Sequence, residues 1–105
     1  MTEKPKVMDA VRLIAPKLAE VTDEVVFGDI WKRDELSLRD RSLITIAALI
    51  AMHRPTSLKP HIKRGLANGL TQKEIGEVIT HLAVYAGWPT SVVACEIAAD
   101  VFLGD

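Results

Sequence analysis

The apolar positions of this chain recur with a helical period from end to end. They fall at i, i+3, i+4 and i+7, and no segment shows the two-residue alternation of a half-buried strand. Residues 8–15, MDAVRLIA, read as a first helix that stops at Pro16. A proline has a fixed φ and no N–H, which suits a first turn and not a helix interior. A second helix is predicted from about Pro16 towards Arg33, carrying Val26, Phe27, Ile30 and Trp31, with Thr22 and Gly28 as places for a break. Ser37 opens a third helix, because its hydroxyl is placed to accept the free amide near Asp40 and Asp40 suits the positive helix start. From Ser42 to Met52 the run SLITIAALIAM is apolar nearly all round, which predicts burial on most sides. Pro55 ends that helix, and a fourth is expected from about Leu58 to Asn68 with Gly69 as its left-handed C-terminal cap. Thr71 and Glu74 form a T-x-x-E capping box for a fifth. The core face of that helix is Ile75, Val78, Ile79, Leu82 and Ala86. Gly87 closes it, and Pro89 suits the first turn of a sixth helix running to about Leu103.

The pattern predicts an all-α fold of about six helices in one small domain, residues 1–105. The third and sixth helices are apolar on more faces than a small monomer covers. A domain of this size has room for one central helix and not two, so self-association is expected.

Composition narrows the function. Cys95 is the only cysteine, which excludes a disulfide framework, a CxxC pair and a thiolate zinc cage. A net charge of −1 and a pI near 6.3 argue against nucleic acid as a partner. No stretch reaches the length of a membrane span, and the start MTEKPKVMDA lacks an apolar signal core. A soluble cytoplasmic protein with no membrane partner is therefore expected. The near-neutral total hides an asymmetry: residues 1–64 hold twelve Lys and Arg against nine Asp and Glu, whereas residues 65–105 hold Lys73 against five acids. The most basic stretch, 37–64, contains Arg39, Arg41, Arg54, Lys59, Lys63 and Arg64 with His53 and His61. Such an asymmetry marks an anion site, a self-complementary interface or simply a solvated face.

His61 falls at the edge of the apolar face of the fourth helix, beside Arg64 and Asn68, and is expected to be half-buried. The fifth helix carries a second stripe of Glu74, Glu77, His81 and Tyr85. Glu77 lies one turn before His81, where a carboxylate orients an imidazole and raises its basicity. The stripe reads equally as a solvated face. With His61 as the only obvious third ligand, it falls short of a metal site. Cys95, among Val92, Ala94, Ala98 and Ala99, reads as a small buried core residue with nothing nearby in sequence to lower its thiol pKa. There is no phosphate loop, no G-x-S-x-G elbow and no H-E-x-x-H. Any chemistry must rest on His, Arg, Tyr and Glu as acid, base or anion clamp.

The run GDIWKRDELSLRDRSLITIAALIAMHRP, with HIKRGLANGLTQKEIGEVITHLAVYAGWPTSVVACEIAADVF after it and PKLAEVTDEVVF before it, resembles the carboxymuconolactone decarboxylase family. The most specific pieces are RSLITIAALIA, the spacing from His61 to NGLT, and HLAVYAGWP. The resemblance implies a helical fold that assembles as a homotrimer or hexamer with sites near subunit interfaces. One branch of the family, similar to alkylhydroperoxidase D, uses C-x-x-C-x-x-x-H with an upstream Glu. Placing the motif His on His61 puts Arg54 and Ser57 at the cysteine positions and Ser42 near the Glu. Thiol peroxidase chemistry is therefore disfavoured.

The other branch decarboxylates 4-carboxymuconolactone without a cofactor. Carbon dioxide leaves, its electrons delocalise onto the lactone carbonyl, and a proton returns to carbon. No metal or organic cofactor is needed, because the substrate holds its own electron sink. On this resemblance His61 is the acid–base or oxyanion residue, with His81 and Tyr85 as second contributors and Glu77 among the substrate-binding residues. Arg41 or Arg54 binds the carboxylate of a small anionic organic substrate, and Trp31 walls the pocket. Residues 53–60, HRPTSLKP, depart from that branch, which commonly has a glycine and then an acidic, Pro-free segment. The departure opens the way to another small organic acid as substrate. A third reading is a non-catalytic oligomeric accessory protein that kept the fold and lost the pocket.

Overall fold

A computed structural model describes residues 6–104, all of whose regular elements are helical. The first few residues of the N-terminal stretch considered above, and Asp105, lie outside the described residues. The chain divides into two compact units between Glu35 and Leu36.

The first unit holds α1 (Val7–Ile14) and α2 (Pro16–Val21), then a wide π-type turn over Thr22–Phe27 and a single 3-10 turn over Ile30–Lys32. The helix expected to reach Arg33 thus stops at Val21. Thr22 supplies the reason: its Oγ1 donates to the Leu18 carbonyl at 2.7 Å, a local bond that competes with the helical ladder. Gly28 supplies the other. A Cβ there would sit 2.6 Å from the Glu24 carbonyl oxygen and 2.7 Å from that of Asp23, so only glycine lets the chain close over the widened turn. Arg12 ties α1 to that turn through Asp23 at 2.9 Å.

The second unit is built from α3 (Leu38–Ala51), α4 (Pro55–Ala67), α5 (Gln72–Ala86) and α6 (Trp88–Phe102). α3 packs on α4 and α5, and α6 packs on the same two helices, so α4 and α5 lie diagonally. Each helix sends an i, i+4 pair inward: Ile46 and Ile50, Leu58 and Ile62, Ile75 and Ile79, Ala94 and Ala98. Leu70, between α4 and α5, closes the core. Burying each large aliphatic side chain contributes roughly 1.5–3 kcal/mol. No helix among the described residues is long and apolar enough to cross a membrane.

The helix ends follow the capping chemistry of the sequence. The Asp40 amide donates to Ser37 Oγ at 3.0 Å. At the start of α5 the Glu74 amide donates to Thr71 Oγ1 at 3.0 Å, and the Thr71 amide donates back to Glu74 Oε1 at 2.9 Å. Gly69, at φ 107°, ends α4, with Gly69 N–H on the Leu66 carbonyl and Leu70 N–H on that of Gly65. These two bonds are the Schellman pair.

Three expectations change. α4 begins at Pro55 and not Leu58, because Pro55 takes the first-turn position that a missing N–H leaves free. α3 is not buried on most sides: Leu38, Ile44 and Met52 are exposed. Cys95 is exposed and not a core residue, because the inward pair of α6 is Ala94 and Ala98, and Cys95 is turned away from it.

Thr71→Ala removes the acceptor of the capping box. It is expected to cost about 1 kcal/mol and to lower the melting temperature by roughly 4–8 °C, read by circular dichroism. An unchanged melt would show that the box adds nothing to α5.

Candidate active site

α4 carries a polar stripe directed by its own periodicity. Ser57, His61, Arg64 and Asn68 follow at i, i+4, i+7 and i+11, and so share one face, while Arg54 precedes them as the N-cap residue, outside the helical conformation. The far end of the stripe lies against α3, because Asn68 Nδ2 donates to Oγ of the fully buried Ser42 at 3.0 Å. Close approach is possible there because residue 65 is glycine. A Cβ would come within 2.9 Å of Leu70 Cδ1 and 3.0 Å of Ile46 Cδ1.

His61 and Arg64 are both half-buried. Burial lowers the His61 pKa below its ordinary 6.5, and the neighbouring charge of Arg64 lowers it further. The imidazole is therefore neutral near pH 7 and offers one N–H and one lone pair. Arg54, at the other end, donates from Nη1 to the Met52 carbonyl at 2.8 Å. It also borders a cavity of about 10 Å³, the size of one water, shared with His53, Leu58 and Thr90. His61 thus lies beside Arg64 on one helix face, with Arg54 at the start of that helix. An arginine next to a neutral histidine can take a carboxylate and give a hydrogen bond to a second oxygen.

The Glu77–His81–Tyr85 stripe belongs to a different place. Glu77 and His81 line a cleft of about 460 Å³ between α3 and α5, floored by Leu43, Ile44, Ala47, Val78 and Leu82. The His81 and Tyr85 rings meet at 4.9 Å and 38°. No hydrogen bond joins Glu77 to His81 among the described residues, so the expected orienting bond is not made. At the rim, Arg39 pairs with Glu74 and Asp40. The Glu74 carboxyl is held below the usual range, first by the Thr71 amide and also by Arg39. With Arg39 matched by Glu74, Glu77 leaves this cleft negative, the wrong sign for an anionic substrate.

A third recess, about 170 Å³ between α5 and α6, is lined by Trp88, Ser91 and Cys95 among others, with no cationic side chain. Ser91 is occupied in donating to the Ile79 carbonyl at 2.9 Å.

The expected site residues are thus spread out. His61 lies on α4 and Arg54 at its N-cap, turned to the Met52 carbonyl, whereas Glu77, His81 and Tyr85 share α5. Arg41 is half-buried on α3, where its carbonyl accepts from Thr45 Oγ1 at 2.7 Å. Trp31 belongs to the first unit, its ring 5.9 Å from that of Phe27. Arg64 and Ser57 join His61 on its face of α4, at spacings of three and four that the sequence already shows.

The class is therefore a small all-helical domain with a histidine and an arginine on one helix face. A model of the carboxymuconolactone decarboxylase family matches residues 16–100, and the chain belongs to that family. It is 41% identical over 76 residues to a 4-carboxymuconolactone decarboxylase of Acinetobacter baylyi, covering 72% of this chain and 57% of that one. It is 35% identical over 75 residues to a nitrosuccinic acid decarboxylase of Metarhizium robertsii, covering 71% of this chain and 52% of that one. An uncharacterised 15.0 kDa protein of Paracoccus denitrificans is 32% identical over 98 residues, covering 90% of this chain and 72% of that one. The chain spans only a little over half the length of the two named decarboxylases.

The His61 environment has a pH signature. Its native pKa lies below 6.5, so the unfolded chain takes up this proton first as pH falls. The contribution of His61 to stability is therefore complete above about pH 6.5 and declines as pH falls towards the native pKa. NMR titration of the imidazole is expected to give a midpoint below 6.5 in the native chain, moving upward in Arg64→Gln. A midpoint at the ordinary value, unmoved by the substitution, would contradict the assigned cause.

Proposed function

We propose that this protein is a cofactor-independent carboxy-lyase acting on a small anionic organic acid, with 4-carboxymuconolactone as the first substrate to test. The observation that carries this reading is the neutral, half-buried His61 beside Arg64 on one face of α4, with Arg54 at the start of that helix. Membership of the family and the names of two relatives support it.

The chemistry follows from charge flow. An arginine, Arg64 or Arg54, with Arg41 as a further donor from α3, takes a substrate carboxylate in two-pronged geometry. The carbon–carbon bond to the departing carboxylate breaks, and its electrons run through the unsaturated system to the lactone carbonyl. The His61 N–H donates to the oxyanion that forms, and a neutral imidazole keeps that N–H without adding charge in the ground state. A proton then returns to carbon. The substrate supplies the electron sink, so no cofactor is called for.

The reading includes self-association into a trimer or hexamer in the cytoplasm, with the whole chain acting as one functional domain. The exposed Leu38, Ile44, Trp88 and Val92 support association. Since α4 and α5 are diagonal, Glu77, His81 and Tyr85 join the chemistry of His61 only from a neighbouring copy. Sedimentation is expected to give three or six times the 11.5 kDa chain mass. A monomer at micromolar concentration would remove the α5 residues from the mechanism.

The direct test is decarboxylation of the lactone by the full chain. His61→Ala is expected to lose roughly 10²–10⁴-fold in turnover while its melt stays near that of the parent. Turnover by the parent with an unaffected His61→Ala would overturn the assignment.

A further inference from the structure

His53 occupies a position that elsewhere in this chain is glycine. It follows the α3 cap residue Met52 at φ 52°, the only left-handed non-glycine among the described residues. Its N–H lies on the Ile50 carbonyl at 3.1 Å, and the Arg54 N–H lies on that of Leu49 at 2.8 Å. This is the same bond pair that Gly69 completes at the end of α4. A side chain in that conformation is strained, and glycine avoids the strain.

The imidazole makes one bond across the bundle. His53 Nδ1 lies 3.0 Å from Thr90 Oγ1 on α6. Thr90 Oγ1 in turn donates to the Ile50 carbonyl at 2.8 Å. A threonine hydroxyl has one proton, and the carbonyl takes it. The hydroxyl therefore only accepts from His53, and Nδ1 must carry hydrogen. In the neutral ring, Nε2 is then the bare nitrogen. Protonation adds hydrogen at Nε2 and leaves the Nδ1–H bond to Thr90 intact, so the tether holds in both charge states. His53 is exposed, and it lines one recess with the next residue, Arg54.

We propose that His53 is a tautomer-locked acid–base group. Thr90 is its positioning residue, and Nε2 is the atom that exchanges a proton with a substrate whose carboxylate is held by Arg54, which lines the same recess as His53. This rests on the decarboxylase reading, which gives His61 the oxyanion and leaves the proton for carbon without a donor. The step balances. The Nε2–H bond of the imidazolium breaks as the C–H bond forms. The ring returns to its neutral Nδ1–H form, and Nε2 recovers a proton from water.

Two measurements on the full chain decide it. Ring ¹⁵N NMR of the neutral imidazole is expected to show Nδ1 protonated and Nε2 bare. Thr90→Val is expected to shift that balance towards Nε2–H. A predominantly Nε2–H ring in the parent overturns the lock, with no reference to activity. In the lactone assay, His53→Asn retains a residue tolerant of the left-handed region and an amide donor for Thr90, and lacks a titrating atom. It is expected to lose at least about tenfold in turnover with an unchanged melt. Full activity in His53→Asn overturns the proton-transfer role. If the parent does not decarboxylate the lactone while the Nδ1–H signature is present, the decarboxylase reading fails, and the acid–base role falls with it.

Discussion

The arrangement of the α4 stripe depends on how closely α3 and α4 approach at Gly65. With no side chain at that position, Ile46 of α3 and Leu70 close over the helix, and the buried Ser42 comes within reach of Asn68. A methyl group there would push against both aliphatic ends. The Ser42–Asn68 bond is satisfied in a site with little water, so separating the helices would leave polar atoms unpaired at a cost of about 1–3 kcal/mol. That contact sets the rotation of α4. The rotation sends Leu58 and Ile62 inward and leaves His61 and Arg64 at the half-buried margin.

Margins of this kind tune chemistry. Full burial would strip an arginine of solvent at high cost, and full exposure would let water screen its effect on the imidazole. At half-burial both terms act in one direction on His61, and the ring stays neutral. The acidic α3–α5 cleft offers more volume and an apolar floor, yet its charge repels an anion. Size and charge therefore favour different places on the same unit, and for an anionic substrate the sign of the charge decides.

Much of this was legible in the sequence because it depends on local rules. The T-x-x-E box, the serine cap at Ser37, Gly69 and the break at Thr22 and Gly28 each act within a few residues, and each appears where its chemistry places it. The core face of α5 was legible for the same reason. What periodicity could not give was which of several apolar faces turns inward. On α6 the small pair Ala94 and Ala98 faces the core, so Cys95 is exposed. On α3 the choice of Ile46 and Ile50 leaves Ile44 outside. The grouping of site residues was also non-local. His61 and His81 both read as candidate chemistry, and only the diagonal placement of their helices separates them. The role of His53 was hidden because its partner Thr90 lies 37 residues away on α6.

The central claim is that an anion binds the α4 stripe and not the α3–α5 cleft. It is tested most directly by NMR of the labelled chain titrated with adipate, a plain dicarboxylate that needs no turnover. Saturable shifts of the His61 ring and the Arg64 guanidinium are expected, with His81 and Glu77 unmoved. Shifts confined to His81 and Glu77, with His61 unchanged, would contradict it.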